Sequence, residues 1–325
     1  MDELIDNYIG FYSGTDFWCA EKPDLTNLQD ALALGQFLPV LVGQWDTPNF
    51  KLGVTADGML LLHAKELIHD VPAMGRPEYF EASMAWWEKF MEQAYAFQLF
   101  VESASLQLDE ERPVLTATVT PETSWTFGLM RGRIVRGNRS GEPYTSPERH
   151  RLRTYLEYVR DARQIPDGEF FLAPWPVIPS EIFATAIEQL SLVALQPGLV
   201  RWLSFIARSK VAFSRHDFEM SFVLSWFVIE SAVNQMAKDS RQTEAAQRSN
   251  FYPRLQHLLH LGLISAEELK EINDLRRQRN ALVHESESST GVHSAAQRAG
   301  LIATGLALRT TGIDMLLQWH CAVRY

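Results

Sequence analysis

The side chains that ask for a chemical explanation gather in one late stretch, DLRRQRNALVHE, which carries Arg276, Arg277, Arg279, Asn280 and His284. Ser265 followed by Glu268 predicts a capping box, with Ile264 and Leu269 as a hydrophobic staple, so a helix begins there and runs to about Glu285. Counted at about 100° per residue from Leu269, the residues Ile272, Leu275, Leu282 and Val283 form one apolar face, and Arg279 falls inside it. A guanidinium stays protonated, so burial there demands an acceptor. Glu230 is the isolated acid of the otherwise apolar helix predicted over Asp217–Lys238, and a buried carboxylate demands a cation in turn. The sequence therefore predicts a Glu230–Arg279 pair, joined by Asn234 one turn further along. Asn280 and His284, four residues apart, share a second face. The following ESESSTG ends the helix, and a histidine at a helix C-terminus exchanges protons near neutral pH.

Each of these residues also has a purely structural reading. Arg276 and Arg277 serve as solvated helix charges beside Asp274, Glu230 and Arg279 as an ion pair and nothing more, and His284 as a helix-terminal histidine. His257 and His260, on the preceding helix, read as surface or packing residues.

The elements that must position this stretch follow from composition. At 325 residues, 46% hydrophobic and 22% charged, the chain suits two globular domains and excludes a disordered one. No apolar run approaches the roughly 20 residues of a membrane span, and the acidic start MDELIDNYIG is unlike a secretory signal, so a cytoplasmic protein is expected, without membrane contact. Cys19 and Cys321 stand alone, with no C-x-x-C pair and no histidine cluster at zinc spacing, so neither disulfides, a metal nor a cofactor is expected. The net charge of −10 is uneven: residues 1–195 carry −13 and residues 196–325 carry +3. A polyanion would prefer the second part.

Four prolines in Gln164–Ser180 mark a boundary, and Phe170, Phe171, Leu172, Trp175 and Val177 make that linker apolar enough to pack. Residues 1–163 read as an α+β domain, with helices over Leu25–Leu41 and Tyr79–Ser105, a turn at Ala56–Asp57–Gly58, and strands at Val114–Thr120 and Trp125–Val135. Arg131, Arg133, Arg136 and Arg139 form a basic loop there. Residues 181–325 read as an all-α bundle of six helices: from Pro179 or Ser180 to about Leu195, from Pro197 to about Arg215, Asp217–Lys238, Asn250–Leu261, Ser265–Glu285, and Val292 to about Cys321.

In this setting Arg279–Asn280–Ala281–Leu282–Val283–His284 resembles the R-N-x-x-x-H form of the arginine–histidine signature of the HEPN superfamily. The resemblance covers the chain from about Pro179 onward and includes an upstream apolar helix with Trp226 and Glu230. Arg254 with His260, and Arg277 with His284, also fit the looser spacing; Asn280 and the helical context favour Arg279 with His284. The resemblance implies a metal-independent endoribonuclease whose motifs pair across a homodimer to form one cleft. It implies 2′-hydroxyl attack on the neighbouring phosphate, leaving 2′,3′-cyclic phosphate and 5′-hydroxyl ends. His284 would then be general acid or base, Arg279 would stabilise phosphoryl charge, and Asn280 would orient the histidine or bind phosphate. Glu230 and Asn234 would support Arg279, while Arg276 and Arg277 would add positive potential for RNA.

Toxins and antiviral defence proteins with similar domains suggest the setting, with cellular RNA such as tRNA as substrate and an inhibitor or antitoxin as a further partner. The competing expectation is a non-catalytic HEPN-like module for dimerisation, or for binding nucleotide or RNA, in which the Glu230–Arg279 pair sets the register. No glycine-rich phosphate loop supports nucleotide binding.

Overall fold

Strand-forming and helix-forming residues segregate along this chain, and the folded molecule follows that division. The structure, a computed structural model, describes residues 5–21, 41–69, 78–110, 113–130, 133–138, 175–240, 250–285 and 291–319. It separates into Met1–Gln196 and Pro197–Tyr325, here unit 1 and unit 2.

Unit 1 is α+β. Its strands are β1 (Ile5–Tyr12), β2 (Trp18–Cys19), β3 (Leu41–Asp46), β4 (Phe50–Thr55), β5 (Met59–Ala64), β6 (Trp125–Met130), β7 (Arg133–Asn138) and β8 (Val177–Ile178). Six of them form an antiparallel sheet in the order β3-β4-β5-β1-β6-β7, while β2 and β8 pair in parallel. The expected turn at Ala56–Asp57–Gly58 joins β4 to β5. Gly58 takes φ +77°, and the buried Asp57 carboxylate accepts from the hydroxyls of Tyr12 at 2.8 Å and Thr55 at 2.5 Å. The stretch expected as one strand from Trp125 to Val135 is instead the hairpin β6–β7, and the basic loop around Arg133 and Arg136 lies partly within β7. Arg131, Arg139 and nearly all of the helix expected at Leu25–Leu41 lie outside the described residues; Leu41 itself opens β3.

The long helix α1 (Tyr79–Leu108) contains the expected one and extends a turn beyond it. It also explains why Val114–Thr120 is extended without joining the sheet. Tyr95, Gln98, Glu102 and Ser105 line one side of α1 and take the place of a neighbouring strand. Gln98 accepts from the Ala117 amide at 2.8 Å and donates to its carbonyl at 3.2 Å. The Tyr95 hydroxyl and Ser105 Oγ accept from the amides of Val119 and Val114 at 3.1 and 2.9 Å, and Glu102 accepts from the Thr116 hydroxyl at 2.9 Å. Side chains thus satisfy backbone groups that a ladder would otherwise have to satisfy.

Helix α2 (Ser180–Val193) starts where Pro179 and Ser180 predict, yet it belongs to unit 1. It packs against α1, β3 and β4; Phe183 stacks on Phe17 with ring centroids 5.6 Å apart, and Asn49 donates to the Ser191 carbonyl at 3.1 Å. The described end of the proline-rich stretch packs as well, Trp175 lying against Trp18 with ring centroids 4.8 Å apart. The units therefore divide at Gln196/Pro197, after the helix that the prolines assigned to the bundle. Cys19 is buried, and burial pushes its thiol up to about 12.

Unit 2 is helical: α3 (Pro197–Ser214), α4 (Phe218–Asp239), α5 (Phe251–His260), α6 (Ala266–Glu285) and α7 (Val292–Thr311). The central member is α4, started by the Asp217 side chain accepting from the Met220 amide at 3.2 Å. It packs on α3, α7 and α5. Where α3 and α4 cross, Ser209 donates to the Ser221 carbonyl at 2.7 Å and lies 2.7 Å from the Ser225 hydroxyl, so three small side chains bring the backbones close. Alanines and Gly300 line α7, with Ala295, Ala296, Ala299, Ala303 and Ala307 buried. The last helix is shorter than its expected end at Cys321. Gly312 stops it with φ +69°, its amide bonded to the Leu308 carbonyl at 2.8 Å, and the chain beyond returns Trp319 onto Gly300. Among the described residues no helix is long and apolar enough to cross a membrane.

Candidate functional site

The helix that carries the motif is anchored at its first turn as the sequence predicts. Ser265 Oγ accepts from the Glu268 amide at 3.0 Å, Glu268 Oε2 accepts from the Ser265 amide at 2.9 Å, and Ile264 is buried beside them. Glu268 also receives both terminal nitrogens of Arg309 from α7, at 2.6 and 3.2 Å. The Arg309 hydrogen bond holds the Glu268 carboxyl below its ordinary value of 4.5, partial burial opposes this, and Ser265 adds to it. A carboxyl lowered on folding stabilises above its unfolded value, and that contribution disappears as pH falls through the folded value. Glu268→Gln is accordingly expected to lose a few tenths to about 1 kcal/mol at pH 7, the range for a partly exposed pair, and progressively less below about pH 4.5. Urea unfolding of both proteins at pH 7 and pH 3.5 checks this; an equal gap at both values would show that the carboxylate charge contributes nothing.

The apolar face of α6 is submerged only over its first half. Ile272 and Leu275 have no exposed surface, whereas Leu282 is half-buried. Arg279 sits on the emerging half and is itself half-buried. Its guanidinium donates to Asn280 Oδ1 at 3.1 Å, a contact open to solvent. The expected Glu230–Arg279 pair does not form within the chain: among the described residues Glu230 has no ion-pair partner, and Arg279 has water within reach and needs none. The premise that failed was uniform burial along an ideal helix.

A different arginine reaches the central helix. Arg254, on α5, donates to Asn234 Oδ1. On the same side His257 lies 3.5 Å from the Ser240 hydroxyl, and the rings of Trp226 and Phe251 meet at 5.4 Å. Asn234 is thus a polar contact of α4, as expected, with Arg254 as its partner and not Arg279. Tyr252, two residues before Arg254, lies 5.8 Å beneath the Arg276 guanidinium. Arg276 is therefore more than a solvated charge; its Nε and the Oδ1 of Asn273, one turn earlier on α6, are buried without hydrogen-bond partners. Arg277 takes the plainer course and pairs with Asp274 at 3.8 Å, largely exposed.

His284 falls in the last turn of α6. The side chains of residues 283–285 lie outside the described residues. Two separate contacts result, Arg254 with Asn234 of α4 and Tyr252 with Arg276 of α6, and Arg279 and Asn280 lie further along the motif helix. Sequence reasoning missed Tyr252, and it set Arg254 aside as a rival motif. The signal that could have found both was the amphipathic spacing of α5, which buries Leu255 and Leu258 and turns Arg254 toward its neighbours.

Comparisons of the chain with protein-family models, with curated proteins and with solved structures find no match.

Proposed function

We propose that unit 2 is a HEPN-like ribonuclease module, and that the protein is a metal-independent endoribonuclease of a toxin or antiviral defence type. The observation that carries this reading is the placement of the R-N-x-x-x-H stretch at the emerging end of a firmly capped helix. Arg279 and Asn280 are hydrogen-bonded to each other there in contact with solvent. An arginine tied up in a buried ion pair could not serve a substrate; a half-exposed one can present its planar donor fork to a phosphate.

In this reading His284 moves the proton. As a base it takes the proton of the 2′-hydroxyl, whose oxygen attacks the adjacent phosphorus; as an acid it protonates the departing 5′-oxygen. The products are a 2′,3′-cyclic phosphate and a 5′-hydroxyl. Arg279 stabilises charge developing on the phosphoryl oxygens, and Asn280 holds the Arg279 guanidinium or the phosphate. On a single helix Arg279 and His284 diverge by about 140°, so a cleft assembled from two copies of the module in a homodimer brings unlike ends of the motif together. Unit 1, which carries most of the negative charge, supplies the trigger or the restraint, and an inhibitor partner is the expected control on such an activity.

The test uses an RNA oligonucleotide in buffer containing EDTA, beside the same oligonucleotide with a 2′-deoxyribose at the mapped cleavage position. Cleavage that survives EDTA and disappears at the deoxy position supports 2′-hydroxyl attack. Cleavage of the deoxy substrate would overturn it.

A further inference from the structure

Away from the motif helix, α3 and α4 carry a row of aromatic and cationic side chains that none of the roles above uses. Arg201, Phe205 and Arg208 are spaced four and three residues apart, so they share one face of α3. The Phe205 ring has a guanidinium on either side, Arg201 at 5.5 Å and Arg208 at 6.0 Å from its centroid. Phe227 of α4 leans on Phe205 with ring centroids 5.8 Å apart, yet remains 41% exposed; Met220, two turns earlier on α4, is 49% exposed. Both arginines are exposed. Phe205 is half-buried against Phe227, while Phe227 keeps much of its ring in water beside the two arginines.

We propose that this row is a stacking platform for the bases of single-stranded RNA, with Arg201 and Arg208 contacting the flanking phosphates. The proposal rests on the reading of unit 2 as an RNA-acting module and deepens it by naming the form of RNA. Aromatic faces accept any base, and arginines beside them supply both charge and stacking area. A two-fold contact between copies centred on the same row would bring the exposed Arg208 guanidinium groups of both copies together, which favours a polyanion as the occupant. The row also leads toward the candidate site. Asn234 lies seven residues beyond Phe227, on the same face of α4 and about 10 Å along it, with Glu230 about 60° to one side. A strand with a base on Phe227 therefore continues toward Asn234 and Arg254 and the motif helix beyond them.

The experiment measures anisotropy of a labelled single-stranded RNA carrying 2′-O-methyl riboses, which binds but cannot undergo 2′-hydroxyl attack. Wild-type chain is compared with Phe227→Ala, Phe227→Trp and Arg208→Ala, each checked for a wild-type melting transition. Phe227→Ala is expected to weaken binding roughly 5- to 100-fold, the range for loss of one stacked base, and Phe227→Trp to restore it. Arg208→Ala should lower the salt slope of binding by about one phosphate contact. Because the 2′-O-methyl strand is read by binding alone, a failed cleavage assay and a failed platform are told apart. Unchanged affinity in folded Phe227→Ala overturns the proposal, as does duplex RNA binding as well as the single strand. Sedimentation in which Phe227→Ala alters self-association while RNA affinity stays the same also overturns it and makes the row a contact between copies.

Discussion

Replacing His284 with alanine is expected to lower RNA cleavage by about 10²- to 10⁴-fold, the span over which a positioned proton carrier accelerates such reactions. Arg279→Ala should lower it by about 10²- to 10³-fold through loss of charge stabilisation at the phosphate. The structure makes the second loss readable as chemistry. Arg279 is half-exposed and bonded to its neighbour Asn280, so its removal leaves no buried carboxylate stranded and should change stability by no more than about 0.5 kcal/mol. Initial rates on a mapped RNA substrate, with melting temperatures beside them, measure both quantities. A module that only mediates association behaves differently. There His284→Ala is silent, and Arg279→Ala acts through assembly without touching any rate.

The second large effect concerns the helix that holds the motif. Leu275→Ala is expected to destabilise unit 2 by about 2–5 kcal/mol, because its side chain is fully enclosed and the cavity cannot collapse completely. Leu282→Ala, one heptad later on the same nominal face, should cost about 1 kcal/mol or less, since that half of α6 rises out of the core. Denaturant unfolding of the two variants measures the contrast. Equal losses would mean that the C-terminal half of α6 is as buried as the first, and the solvent-open view of Arg279 would fail with it.

That contrast marks where the sequence was legible. Local signals with a one-turn reach were read correctly: Ser265 with Glu268 opens α6, and Ala56–Asp57–Gly58 turns β4 into β5. Each depends on residues within a few positions of each other, so no tertiary partner is needed to decide it. Features that depend on partners distant in the chain were not legible. A helical wheel places Arg279 among apolar residues but cannot say at which residue the helix leaves the core, and that decides whether a counter-charge is required. Val114–Thr120 has a strand-like alternation, yet its neighbour is a helix whose Gln98 and Glu102 stand in for a ladder. Helix α2 has the prolines of a domain start before it, but Phe183 finds Phe17 and the helix joins unit 1. Arg254 was visible only as half of a rival motif; its contact with Asn234 depends on how α5 crosses α4.

The most direct test of the proposed chemistry is an end-group analysis. Purified wild-type and His284→Ala chains are incubated without metal with cellular RNA that includes tRNA, and the fragment ends are identified. The wild type is expected to leave 2′,3′-cyclic phosphate and 5′-hydroxyl ends, and the variant none. Fragments bearing 3′-hydroxyl and 5′-phosphate ends, or equal cleavage by both proteins, would contradict the proposed chemistry.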